Sequence, residues 1–82
     1  MTHDWFIEGG VKRPFVVTKS TFSGVGKYAS HFLSGMATTF DDMQRAITGT
    51  MMMQVFGIPM SGGDICGFSG KTPTPELCAR WH

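Results

Sequence analysis

The sequence predicts an α/β fold with parallel strands, on three observations. Residues 13–20, "RPFVVTKS", form an apolar β-run. Residues 39–56 form one amphipathic helical stretch, and residues 58–64, "IPMSGGD", form a second short β-run that opens into glycine-rich chain. Strand, long loop, helix, strand, loop and the start of another helix is the order of a βαβ unit, about two parallel strands with an intervening helix. Two strands alone leave hydrogen-bonding edges open, so the chain reads as a slice of a larger α/β sheet or barrel.

Each element has its own justification. Residues 1–12, which include "MTHDWFIEGG", carry Asp4 and Glu8 and no apolar signal region, so they read as an N-terminal extension without a secretion signal. In the first strand Phe15, Val16 and Val17 follow one another without alternation, as in a strand buried on both faces. Pro14 suits its first position, where no ladder donor is needed. Residues 21–38 hold three glycines and no clean period; long loops in compact domains are usually functional or disordered, and Phe22, Tyr28 and Phe32 argue against disorder. The helix begins at Thr39 as N-cap, with Asp41 and Asp42 in its first turn favouring the dipole. Met43, Ile47, Met51 and Val55 recur at i, i+4 as its apolar face, Gly49 weakens its middle by about 1 kcal/mol relative to alanine, and Gly57 ends it. The run Met51–Met53 reads as flexible core filling. A last helix starts near Pro75. The loops at 21–38 and 62–72 leave the C-terminal ends of the strands, where α/β folds build their sites.

Composition narrows the partners. The chain has 82 residues, enough for one small domain at most, and only 16% of them are charged, against about 25% in ordinary domains. Low charge with eleven glycines suits an internal slice better than a free-standing protein. A net charge of +1 argues against nucleic acid or an anionic membrane surface as partner. No stretch nears the roughly 18 apolar residues that span a bilayer. Asparagine is absent, which excludes N-glycosylation. Cys66 and Cys78 form either one disulfide or two thiols in a reducing compartment.

Several motifs fail on their chemistry. "SGVGKY" lacks the glycine at position 21 and the Ser or Thr after Lys27 that a phosphate loop needs. His31, Cys66, Cys78 and His82 make a zinc set only on paper, because the first spacing is wrong for a ribbon and His82 is the last residue. His31 has no serine or cysteine positioned as nucleophile, and reads as a loop histidine bonded to backbone. Asp64 is the informative acid. It ends a strand among glycines, where it either binds the loop's own amides or holds a ligand, and Phe68 four residues on favours a sugar.

"RPFVVTKSTFSGVGKYASHF", "FDDM", "FGIPMSGGDICGFSG" and "ELCARW" together resemble the catalytic barrel of glycoside hydrolase family 31, the α-glucosidases. The likeness runs from about Arg13 to Trp81, in order and with near-matching gaps. It implies that residues 13–82 are a fragment of a (β/α)8 barrel. It implies no metal and no cofactor. It also implies a bound α-glucoside or maltooligosaccharide, and other protein chains or further barrel segments to complete the sheet.

Position by position, the resemblance puts a substrate-contacting arginine of the family on Lys19, which keeps the charge but not the planar fork. The family's "GHWxGD" falls on "SHFLSG", so that His31 is kept, a tryptophan becomes Phe32, and the aspartate serving as general acid/base becomes Gly35. Asp64 and Phe68 fall on the carboxylate and the ring of the sugar pocket. Cys66 and Cys78 fall on a disulfide pair. Retaining glycosidases need two carboxyls about 5–5.5 Å apart. Asp41 and Asp42 lie on a helix beyond the acid position and do not substitute, and the nucleophile belongs to an earlier strand outside these residues. The expectation is an α-glucosidase-like segment inactive alone, with a non-catalytic structural or interaction subunit as the alternative. Family members are often lysosomal, secretory or cell-surface proteins, and nothing in the sequence assigns a compartment.

Overall fold

The structure, a computed structural model, describes residues 1–82. Three strands form one parallel sheet in the order β1 (Val17–Thr18), β2 (Ser30–Leu33), β3 (Ser61–Gly63). Val17 pairs with Ser30 and Thr18 with His31, while His31, Phe32 and Leu33 pair with Ser61, Gly62 and Gly63. Helix α1 (Thr2–Glu8) precedes the sheet, α2 (Phe40–Val55) crosses from β2 to β3, and α3 (Pro75–Trp81) follows β3. The crossover from β1 to β2 has no α-helix. A 3-10 turn, Val25–Lys27, returns the chain to the start of β2.

The α/β class and the barrel-slice topology are those expected, with one more strand. β2 lies inside residues 21–38, which read as loop from the sequence. It is four residues long, between Ala29 and Ser34, too short for a period to show. β1 departs from expectation in burial: Phe15 and Val17 are 66% and 49% exposed rather than covered on both faces. It is an edge strand here, with β2 on one side and nothing on the other.

α2 keeps its bounds and its cap. The Thr39 hydroxyl accepts from the Asp42 amide at 3.2 Å, and Gly57, at φ +85°, follows the last turn. Its buried face, however, is not the methionine stripe. Ile47, Met51 and Val55 are exposed, and the residue fully covered is Ala46, flanked by half-buried Met43, Gly49, Thr50 and Met53. An i, i+4 row drifts around the helix by about 40° per step, whereas the sheet follows mixed i+3 and i+4 steps. Gly49 explains the close approach, since a Cβ there would meet the Leu33 side chain at 3.3 Å.

The core is thin. Ala46, Ile58 and Leu77 are the only three buried residues. The radius of gyration is 14.9 Å, against about 12 Å for a compact domain of this length. The molecule is a slab with extents of 45 × 24 × 19 Å, with α2 packed against one side of the sheet. No helix is long and apolar enough to cross a membrane.

Candidate active site

Strand alternation sorts the candidate residues between two faces. Leu33 packs on Gly49 of α2, so its face is the helix side of the sheet. Phe32, one residue before it, therefore points to the open side. On that side the sheet carries an open groove lined by Phe15, Val17, Ser30, Phe32, Met60 and Gly62. Lys19 follows the C-terminal end of β1. Its ammonium stands 5.9 Å from the centre of the Phe32 ring, within cation–π reach. Asp64 follows β3 directly, two residues past Gly62.

Asp64 is half-buried, and its carboxylate takes none of the side-chain hydrogen bonds in the chain. Of the two readings open from the sequence, binding of the loop's own amides is therefore not what its side chain does. Its backbone carbonyl instead accepts from the Gly67 amide at 3.0 Å, closing a tight turn. Cys66 sits in that turn at φ +71°, and its sulfur is joined to that of Cys78 in α3, with Cα atoms 4.7 Å apart. Phe68 follows on the rim, with 79% of its surface exposed.

His31 and its partner Ser61 border the same groove. His31 lies on β2, not in a loop, and alternation sends its side chain to the helix side with Leu33. There its Nδ1 is buried without a hydrogen-bond partner, as is the Oγ of Ser61, the residue paired with it on β3. Alternation thus turns the His31 ring opposite to that of Phe32, although both residues border the groove.

Gly35 lies just past β2, exposed at φ +76°, with no atom within 4 Å of where a Cβ would stand. Its loop is held firmly on either side. The Ala37 amide donates to Asp42 Oδ2 at 2.7 Å, and Arg45 Nη1 donates to Asp42 Oδ1 at 2.9 Å. The Met36 carbonyl accepts from the Phe68 and Ser69 amides at 2.7 and 3.2 Å, and the Thr38 amide donates to the Ser69 carbonyl at 3.0 Å. The Thr38 hydroxyl donates to the Lys71 carbonyl. Asp42, read from the sequence only as a dipole partner, thus has a second role. The adjacent acids of "FDDM" were its only sequence signal.

These observations describe the C-terminal edge of a parallel sheet with two strand-end loops locked together. A family model described as the glycosyl hydrolases family 31 TIM-barrel domain matches residues 2–82. The chain belongs to family 31. Within that family it is 46% identical over 80 residues to a probable alpha-glucosidase of Oryza sativa subsp. japonica, covering 98% of this chain and 9% of that protein. It is 47% identical over 70 residues to intestinal sucrase-isomaltase of Homo sapiens, covering 85% of this chain and 4% of that one. A crystal structure of the glucosidase II alpha subunit, described as alpha3-Glc2-bound, superimposes with a TM-score of 0.78 at 28% identity, over 84% of this chain and 7% of that one. The chain therefore spans less than a tenth of these family 31 relatives, and is an α-glucosidase-like fragment of the barrel.

Proposed function

We propose that this chain is the sugar-holding segment of a family 31 barrel acting on α-linked glucosides, and that alone it does not hydrolyse them. Lys19, Phe32 and Asp64 supply the binding face, with Phe68 as a ring on the rim. A carboxylate and an ammonium suit sugar hydroxyls, and the aromatic rings suit the C–H faces of the pyranose. The Asp64 carboxylate, which takes none of the chain's side-chain hydrogen bonds, and the Lys19–Phe32 contact support this assignment.

The observation that carries the inactivity is Gly35. The family's "GHWxGD" aspartate would fall there, and glycine offers no proton to the leaving oxygen. The test is hydrolysis of maltose and of an aryl α-glucoside by the purified chain, with Asp64→Ala as control. No turnover above the protein-free blank is expected. Turnover that survives repurification and disappears in Asp64→Ala would sink the reading.

A second reading, a non-catalytic remnant that packs against other chains or further barrel segments, is favoured by one observation. β1 and β3 each have an unpaired outer edge, and Phe15, Val17 and Met60 lie open on the groove side. The two readings differ in maltose binding, which only the first requires.

A further inference from the structure

We infer that Asp42 and the Cys66–Cys78 bridge are positioning residues that together fix residue 35 relative to Asp64, acting through a backbone clasp between two loops. The inference rests on the sugar-site reading for its functional meaning, and on the clasp geometry for its content. The clasp has three layers. Asp42 receives the Ala37 amide from the helix side. In the middle, the Met36 carbonyl takes two amides from the facing loop and Thr38 returns one to Ser69, so that Ala37 and Ser69 form a parallel bridge. On the far side the Thr38 hydroxyl reaches the Lys71 carbonyl.

Gly67 shows how close the two loops lie. A Cβ there would stand 2.6 Å from the Ala37 oxygen and 2.8 Å from Thr38 Cα, inside the contact distance of any real side chain. Its neighbour Cys66 is bonded to Cys78, next to Leu77, one of the three buried residues. Leu77 and α3 therefore serve as the anchor, the disulfide as the tie, and the 64–71 loop as the part that grips residues 36–38. Gly35 abuts that grip without touching either cysteine. A side chain placed at position 35 inherits its direction from two anchors on separate helices.

The test is amide hydrogen exchange, read by NMR on the isotope-labelled 82-residue chain. In the oxidised chain Ala37, Thr38, Phe68 and Ser69 should be protected. Reduction with a phosphine should speed exchange at Ala37 and Thr38, far from the cysteines in sequence, by about tenfold or more, and by more than at Ala46 inside α2. With the disulfide intact, Asp42→Ala should speed exchange at Phe68 and Ser69 as well as at Ala37. Asp42→Asn, which keeps an acceptor oxygen, should restore protection.

Three results would each overturn the inference: no protection in the oxidised chain, an effect of reduction confined to residues 66–69 or no larger than at Ala46, or an effect of Asp42→Ala confined to Ala37. If reduction melts α2 as well, the Asp42 pair decides the matter. A maltose titration of the same sample tests the sugar reading separately. Coupled loops without maltose binding would refute that reading alone, and binding with uncoupled loops would refute the inference alone.

Discussion

At the scale of single residues, two glycines of the clasp region differ in what a side chain would cost. Gly35 and Gly67 both have positive φ, +76° and +90°, which costs an L residue roughly 1–2 kcal/mol. Gly35 is surrounded by open space, whereas Gly67 faces the Ala37 carbonyl. Gly67→Ala should therefore destabilise the rim by more than the conformational cost, visible as a lower denaturation midpoint. Gly35→Asp should be tolerated, because aspartate is among the few residues that enter this region readily. Placed in a complete family 31 enzyme, this segment should bind maltose and turn it over poorly, and Gly35→Asp should raise turnover by about 10²–10⁴-fold. Aryl glucosides with activated leaving groups should gain less. Unchanged maltose kinetics on adding the aspartate would show that the acid lies elsewhere. The order and identity of Lys19, His31, Phe32, Asp64 and Phe68 were readable from the motifs. The facing of His31 was not, because motif matching preserves order along the chain and carries no information on alternation.

Single elements tell a similar story of right bounds and hidden contacts. α2 was legible from Thr39, its two acids and Gly57, since capping is local chemistry. Its buried face was not, because the helix packs through Ala46 and Gly49, small residues that a hydrophobic stripe overlooks. Thr39→Ala should cost about 1 kcal/mol, seen as a loss of helical signal at a fixed denaturant concentration. No loss would mean that the Asp42 contact with Ala37 holds the first turn by itself. β2 escaped notice for a different reason: its pairing is supplied by β1 and β3, not by its own four residues. The disulfide closes a loop of sequence separation 12, which is worth about 3 kcal/mol in the chain-entropy account. Reduction should lower stability by about that amount, measured by denaturation of oxidised and reduced chain side by side.

For the molecule as a whole, low charge and abundant glycine suited an internal slice of a larger fold, and the chain itself buries only three residues of 82. Phe22 at 85% exposure, Val55 at 83% and Phe68 at 79% leave large apolar surface in water. The isolated chain should bind a hydrophobic dye and elute above its 9.0 kDa mass in light-scattering chromatography. A dye-silent, monodisperse 9.0 kDa species would contradict this. Strand order in the sheet follows chain order, β1-β2-β3, with no strand from elsewhere threaded between them. Genetic recombination that exchanged this stretch between two relatives would therefore cut the chain at two points and disturb only two strand pairings. Lys19, Gly35 and Asp64 would travel together as one heritable block. On the proposed roles, a lineage would then lose or regain its proton donor in a single exchange, with the ladder that shapes the sugar face inherited intact.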